Sequence, residues 1–315
     1  MTAAQFTKEA APTGEFVRQP NHFTDRITAD GSSDYPVEAG RYVLYVSLAC
    51  PWAHRSVIVR SLLGLQNAIA LRVVDPLRDD KGWRFTLDEG GVDPVTGASY
   101  VMELYTRSDP DFAGRATVPF LWDTQTERIV SNDYPQISLD LSTQWTGLHG
   151  SGAPDLYPQD RREAIDEMAE ATFHAVNNGV YKAGFASSQE AYEKAFDALF
   201  VRLHELDELL GAERFLVGRK LSEADVRLYT TLVRFDAAYH GHFKCNQRKL
   251  TEFANLWPYA RDLFQHPGFG DTTDFGHIKS HYYGTHDKIN PTGIVPKGPD
   301  LSGWDAPHGR DHLGD

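Results

Sequence analysis

A cysteine followed by proline, where a buried strand changes to a helix, constrains this chain more than any other feature. Residues 41–48 (RYVLYVSL) form an apolar run typical of a buried strand, and residues 52–63 carry apolar side chains at helical spacing. Pro51 suits the first helical position, because its missing N–H would be unpaired there. The unpaired amides and the dipole of the helix therefore point at Cys50 and favour its thiolate. The alternative is a buried, inert cysteine, but nothing in this junction requires sulfur for packing.

The segments that follow have the order of a thioredoxin-like domain. A second apolar run at residues 68–74 (AIALRVV) predicts a strand parallel to the first, because a helix connects the two. Residues 117–122 and 128–130 predict two further strands joined by a tight hairpin, with a helix after them. Residues 75–111 read as a long irregular loop, which is expected to be functional or an insertion.

The second half of the chain is predicted to be all helical. Apolar residues recur at helical spacing after Arg161, and the patterns Ser187-x-x-Glu190 and Ser222-x-x-Asp225 are typical of capping boxes at helix starts. The fold class is therefore an α/β N-terminal thioredoxin-like domain followed by an all-α domain. We expect an N-terminal arm at 1–40, a thiol-binding domain at 41–145, an all-helical domain at 160–284 and a C-terminal tail at 285–315.

Charge and cysteine content exclude several function classes. The chain has 31 Lys and Arg against 44 Asp and Glu, a formal net charge of -13, which disfavours binding to nucleic acid or to anionic membranes. It has two cysteines, residues 1–17 contain no apolar run, and no stretch approaches the roughly 18 apolar residues that span a bilayer. These features predict a protein of a reducing cytoplasm.

The residues around the cysteine indicate monothiol chemistry. A dithiol oxidoreductase would have a second cysteine three residues after the first, where this chain has Ala53. A mixed disulfide on Cys50 must then be resolved by an external thiol, which predicts a transferase or a thiol-dependent reductase. Pro119 is either a cis proline that presents backbone groups to this thiol or a trans proline of an edge strand.

A histidine and cysteine cluster in the second half has a superficial likeness to a metal site. His240, His242 and Cys245 lie close in sequence, but no further ligand completes the set that zinc requires. We therefore expect no metal, and a packed loop in its place.

Seven blocks of sequence together resemble the glutathionyl-hydroquinone reductases, the Xi class of glutathione transferases. The resemblance implies a thioredoxin-like domain, an all-α glutathione-transferase domain, a homodimer and no bound cofactor. It also implies that Cys50 attacks the sulfur of a thiol-conjugated hydroquinone and forms a mixed disulfide, which a second small thiol releases. The blocks are LYVSLACPWAHR (44–55), TVPFLWD (117–123), NNGVYKAGFA (177–186), LSEADVRLYTTLVRFD (221–236), HFKC (242–245), HIKSHYYGTH (277–286) and INPTGIVP (289–296).

The resemblance also implies roles for residues away from the cysteine. Trp83 matches a tryptophan that packs on the bound thiol, and Val118, before Pro119, would hydrogen-bond that thiol through its backbone. Tyr181 and Tyr282 match tyrosines that line the hydroquinone pocket, where a phenol can donate a proton to the leaving group. Without the resemblance, each of these aromatic residues would be interpreted as core packing.

The sequence departs from the family at one thiol-binding position. The family usually has Asn-Glu-Ser after the fourth strand, where the Glu and Ser bind the γ-glutamyl end of glutathione, but here Asp133 and Tyr134 follow Asn132 and precede Pro135. Either glutathione binds with altered contacts, or the co-substrate is a thiol without a γ-glutamyl end, such as mycothiol. A carboxylate beside a phenol suits a hydroxyl-rich ligand and favours the second explanation.

Two other functions compete with the reductase. A general transferase that conjugates thiols to electrophiles would use Ser or Tyr at the position of Cys50, since a cysteine would trap the co-substrate as a disulfide. A non-catalytic binding protein on the same fold would not need the cysteine.

Overall fold

The computed structural model describes residues 9–314, which fall into two compact units. Residues 1–8 of the predicted N-terminal arm and the last residue of the predicted tail lie outside the described part. The sheet unit consists of residues 19–154 and 276–287, and the helical unit of residues 9–18, 155–275 and 288–314. The predicted arm is thus divided between the two units, with residues 9–18 in the helical unit and residues 19–40 in the sheet unit. Residues 276–287 belong to the sheet unit, and residues 288–314 of the predicted tail belong to the helical unit.

The sheet unit contains the predicted α/β fold. The strands are β1 (Ile27–Thr28), β2 (Tyr35–Pro36), β3 (Tyr42–Val46), β4 (Ile69–Val73), β5 (Phe120–Asp123) and β6 (Arg128–Ser131), where β1 and β2 form a separate pair. The four-stranded sheet has the order β4-β3-β5-β6, with β3 parallel to β4 and antiparallel to β5, and with β5 antiparallel to β6. The helices are α1 (Pro51–Leu62), α2 (Val101–Ser108), α3 (Tyr134–Thr143) and, from the end of the chain, α10 (Phe275–Thr285).

The stretch predicted as an irregular loop contains helix α2, so that prediction was wrong over residues 101–108. No Ser, Thr, Asp or Asn stands at the N-cap, where Tyr100 lies instead. The helix begins because Oε1 of Glu103 accepts hydrogen bonds from the amides of Ser99 and Tyr100, at 3.0 and 2.9 Å. A carboxylate that reaches back from the first turn satisfies orphan amides as a cap residue would.

The central strand β3 is held at its start by a buried ion pair. Arg41, which precedes β3, donates two hydrogen bonds to the carboxylate of Asp123 at the end of β5, at 2.8 and 2.7 Å. Asp123 is fully buried, and although burial alone would raise its pKa, the hydrogen bonds from Arg41 hold the pKa of this carboxyl below its ordinary value. A bidentate pair of this kind fixes the register of β3 against β5.

The helical unit is built from six helices. They are α4 (Arg162–Thr172), α5 (Gly179–Gly184), α6 (Gln189–Leu209), α7 (Glu223–Arg234), α8 (His240–His242) and α9 (Leu256–Gln265), with π-helical turns at Phe173–Asn177 and Phe235–Tyr239. Helix α6 is capped by Ser188, whose hydroxyl accepts from the amide of Ala191 at 3.2 Å, and not by the predicted Ser187. No helix among residues 9–314 has the length and hydropathy to cross a bilayer.

The predicted cap of α7 is confirmed and belongs to a wider buried network. Asp225 is fully buried, and one of its carboxylate oxygens accepts from the amide and the hydroxyl of Ser222, at 2.9 and 2.8 Å. The other oxygen accepts from the amide of Leu216 at 2.9 Å and from the hydroxyl of Tyr259, on α9, at 2.7 Å. One carboxylate thus joins the start of α7 to the preceding loop and to α9.

Replacement of Asp225 by alanine should destabilise the helical unit strongly. Four buried donors would lose their acceptor, and we expect the free energy of unfolding to fall by about 3 kcal/mol or more. Urea denaturation followed by circular dichroism measures the change. Asp197→Ala, at an exposed position of α6, is the control and should change the free energy by less than about 0.5 kcal/mol. Equal effects of the two substitutions would contradict the structural role of the network.

Candidate active site

Cys50 lies at the N-cap of α1, directly after the central strand. Its backbone is extended (φ -79°, ψ 119°), and Pro51 is the first residue of the helix. The side chain is half-buried, and its Sγ donates to the carbonyl oxygen of Val118 at 3.4 Å. Cys50 therefore stands at the N-terminus of a helix, as the sequence predicts, where the helix dipole favours a negative charge.

Antiparallel pairing explains why Val118 meets the cysteine. Tyr45, near the end of β3, pairs with Phe120 at the start of β5, so the residues before β5 lie beside the residues after β3. The peptide bond between Val118 and Pro119 is cis, which selects the first of the two predicted conformations of Pro119. The structure thus brings Cys50, Val118 and Pro119 together at one end of the sheet.

An aromatic and cationic group lies on the first turn of α1. The ring centroids of Trp52 and Tyr134 are 4.9 Å apart, and the guanidinium of Arg55 lies 4.8 Å from the Trp52 ring and 5.8 Å from the Tyr134 ring. The Arg55 side chain is almost fully buried. Tyr134, at the start of α3, is therefore packed on the helix whose N-terminus carries Cys50.

The turn that holds Asp133 is fixed by residues 21–23. Oδ1 of Asp133 accepts from Nδ2 of Asn21 at 2.9 Å, and Oδ1 of Asn132 accepts from the amides of His22 and Phe23, at 3.0 and 2.9 Å. The sequence analysis missed Asn21, because it lies in a polar stretch without periodicity and its partner is more than a hundred residues away.

Trp83 is buried against a histidine of α10 and an arginine of its own loop. Its ring is stacked on that of His281, with centroids 4.9 Å apart and planes at 21°, and the guanidinium of Arg78 lies 5.0 Å from it. His281 also hydrogen-bonds through Nδ1 to the carbonyl of Pro76, at 2.7 Å. Helix α10 therefore fixes the loop that carries Trp83, a contact that a separation of almost two hundred residues hides from sequence analysis.

The two predicted tyrosines lie in different units. Tyr282, on α10 of the sheet unit, is almost fully buried, with its ring centroid 5.4 Å from that of His281. Tyr181, on α5 of the helical unit, has 9% of its surface exposed and packs against Phe243, with ring centroids 5.4 Å apart. The guanidinium of Arg18 lies 4.9 Å from the Tyr181 ring, a contact that sequence analysis missed.

The second cysteine has the opposite environment to the first. Cys245 is fully buried, and burial raises the pKa of its thiol. Burial also lowers the pKa of the neighbouring His242 to about 4. Among residues 9–314, no group of three or more His, Cys, Asp or Glu side chains is arranged to hold a metal ion.

Both halves of the chain match known protein families. Residues 49–144 match the family described as glutathione S-transferase, N-terminal domain, and residues 180–262 match glutathione S-transferase, C-terminal domain. Among curated proteins, the chain is 45% identical to glutathionyl-hydroquinone reductase YqjG of Escherichia coli, over 95% of this chain and 93% of that protein. It is 43% identical to glutathionyl-hydroquinone reductase PcpF of Sphingobium chlorophenolicum, over 91% and 90% of the two chains.

Solved structures give the same result. A glutathione transferase from Gordonia bronchialis is 55% identical, with a TM-score of 0.91 over 93% of this chain and 91% of that one. The glutathione-bound structure of YqjG, described as a glutathione transferase homolog from Escherichia coli, is 45% identical, with a TM-score of 0.87 over 92% and 96% of the two chains.

The contrast between the two cysteines predicts selective alkylation. Iodoacetamide should modify Cys50 in the folded protein within minutes, because thiolates react and this sulfur is partly exposed at a helix N-terminus. Cys245 should react only after unfolding. Peptide mass spectrometry with and without urea measures both sites, and modification of Cys245 at the same rate as Cys50 in the folded protein would contradict this reading.

Proposed function

This chain belongs to the Xi class of glutathione transferases, the glutathionyl-hydroquinone reductases, and we propose that it removes a small thiol from thiol-conjugated hydroquinones through a mixed disulfide on Cys50. The observation that carries the proposal is the half-buried Cys50 at the N-terminus of α1, with its sulfur against the carbonyl of Val118 beside a cis peptide bond. The two curated relatives described above, which are named for this activity, support the substrate class.

In the first step, the Cys50 thiolate attacks the sulfur that joins the small thiol to the hydroquinone ring. A sulfur–sulfur bond forms as the carbon–sulfur bond breaks, and the bonding pair goes to the ring carbon, which takes up a proton. The ring carbon is reduced to C–H, and the two sulfurs are oxidised to a mixed disulfide. A neutral phenol or water must supply the proton, since the carbon leaves with the electron pair.

In the second step, an external thiol regenerates the enzyme. Position 53 is alanine, so no neighbouring cysteine can resolve the mixed disulfide. The thiolate of a second small thiol attacks it, the disulfide of the small thiol departs, and Cys50 returns to the thiolate. The same half-reaction allows reduction of other mixed disulfides of that thiol.

The other predicted residues have roles in binding and proton transfer. Trp83, whose ring contacts His281 and Arg78, packs on the bound thiol, and the backbone of Val118 hydrogen-bonds the cysteinyl part. Tyr181 and Tyr282 line the hydroquinone pocket, and their phenols bind the hydroquinone oxygens or supply the proton.

Two small thiols compete for the role of co-substrate. Glutathione is supported by the relative that was solved with glutathione bound. Mycothiol is favoured by Asp133 and Tyr134, which replace the family's Glu and Ser. The Tyr134 ring is packed against Trp52 and the Asp133 carboxylate already accepts from Asn21, so a γ-glutamyl end would meet a different surface here.

The remaining properties follow from the family and from the sequence. We propose a cytoplasmic homodimer without a bound cofactor, in which the small thiol is the only reductant. A general thiol transferase and a non-catalytic binding protein are the alternatives, and both make different predictions for the loss of Cys50.

Replacement of Cys50 by serine tests the proposal directly. Reduction of glutathionyl-hydroquinone should fall at least about a thousandfold, because the substitution removes the nucleophile. Intact-protein mass spectrometry should show an adduct with glutathione disulfide or mycothiol disulfide on the unmodified protein, and none on the variant. Cys245→Ser is the control and should keep both properties. If Cys50→Ser gains activity in conjugating thiols to electrophiles, the general transferase is supported. If Cys50→Ser behaves like the unmodified protein in both assays, the binding protein is supported.

Replacement of Tyr134 by serine tests the identity of the thiol. The smaller side chain should admit a γ-glutamyl end, and the ratio of kcat/KM for glutathionyl over mycothiol conjugates should rise about tenfold. Tyr35→Ser, in the separate β1–β2 pair, is the control. An unchanged ratio would remove Tyr134 as the determinant of thiol selectivity.

A further inference from the structure

Residues 9–18 are firmly attached to the helical unit. The carbonyl of Gly14 accepts from the amide of Ser187 at 3.0 Å, and the hydroxyl of Ser188 donates to the carbonyl of Thr13 at 2.9 Å. Gly14 has a φ of 86°, and a Cβ there would lie 2.7 Å from Oγ of Ser188, so only glycine permits this approach. The start of α6 therefore holds this segment in a defined position.

The attachment of residues 9–18 places the side chain of Arg18 next to the ring of Tyr181. Nε and Nη2 of Arg18 both donate to Oδ1 of Asn178, at 3.1 and 2.9 Å, and Asn178 directly precedes α5. The Arg18 guanidinium lies 4.9 Å from the ring of Tyr181, one turn further along, and 5.3 Å from the ring of Phe16. Asn178 thus fixes the guanidinium fork over the face of Tyr181.

The rest of the Tyr181 environment is mostly aromatic. The rings of Phe16, Phe185, Tyr239 and Phe243 lie 5.4 to 6.4 Å from the Tyr181 ring.

Several titratable groups accompany these rings, among them Glu15, which directly precedes Phe16 and lies near Lys182. Tyr239 is a second phenol, Lys182 is the next residue on α5, and His242 packs on Phe243, with ring centroids 5.3 Å apart. Burial lowers the pKa of His242 to about 4, so this ring is neutral over the usual assay range. Arg18 is a permanent cation on the face of Tyr181.

A cation on the face of a phenol stabilises the phenolate more than the neutral phenol, because deprotonation makes the ring more electron-rich. We propose that Arg18 is a positioning residue that activates Tyr181 as the proton donor to the leaving hydroquinone. As the carbon–sulfur bond breaks, the Tyr181 hydroxyl gives its proton to the ring carbon and remains as a phenolate under Arg18. Water then returns the proton. This inference rests on the proposed function of Tyr181.

Only the reduction of the hydroquinone conjugate needs a proton donor, and the reduction of a mixed disulfide does not. Comparing the rates of these two reactions therefore separates activation of Tyr181 by Arg18 from a purely structural role of Arg18. Replacement of Arg18 by glutamine should slow reduction of glutathionyl-hydroquinone about three- to tenfold and should move the alkaline limb of its pH–rate profile to higher pH. Reduction of a glutathione mixed disulfide requires only Cys50 and a thiol, so its rate should not change. Arg248→Gln is the matched control, because Arg248 lies 4.7 Å from the ring of Phe253 in the same unit, and it should change neither rate.

A double-mutant cycle with Tyr181→Phe decides the assignment. Arg18→Gln should have no further effect once the phenol is absent, and Arg18→Lys should recover part of the lost rate. Additive effects, or an equal loss of the disulfide reaction in Arg18→Gln, would overturn the role of Arg18. If Tyr181→Phe itself leaves conjugate reduction unchanged, the proposed role of Tyr181 fails and the role of Arg18 fails with it. If only Tyr181→Phe slows the reaction, the role of Arg18 alone is wrong.

Discussion

The site depends on strand β3, which is hydrogen-bonded on both sides. Parallel pairing with β4 requires the α1 crossover, and this requirement places a helix N-terminus at the carboxyl end of β3. Antiparallel pairing with β5 brings the residues before β5 to the same end. Cys50 and Val118 meet because both pairings end there, and the ion pair between Arg41 and Asp123 fixes the register from the opposite end.

Segments distant in sequence complete both units. Residues 21–23 hold the turn of Asp133, and His281 of α10 holds the loop of Trp83. In the helical unit, the segment that ends at Arg18 places the guanidinium of Arg18 over the ring of Tyr181. In each case a residue that the family resemblance implicates is oriented by a side chain that carries no sequence signal of its own.

Local patterns predicted the strand order, the Cys50 junction and the cap of α7, because each depends on residues within a few positions of one another. Helix α2 was missed because Glu103 caps it from inside the first turn, and the cap of α6 was placed one residue early because Ser187 and Ser188 are adjacent. The roles of Arg18, Asn21 and His281 depend on contacts across more than a hundred residues. Such contacts follow from the packing of the units and have no periodicity that a single sequence can show.

Three of the four aromatic residues that the sequence predicts for the site have an arginine guanidinium close to the ring. Arg78 lies 5.0 Å from the Trp83 ring, Arg55 lies 5.8 Å from the Tyr134 ring, and Arg18 lies 4.9 Å from the Tyr181 ring.

In a chain with a net charge of -13, the field of the protein would repel the carboxylates of a glutathionyl conjugate. Guanidinium groups on ring faces supply local positive charge. Each of these three rings therefore has a local positive charge beside it in a protein whose overall charge is negative.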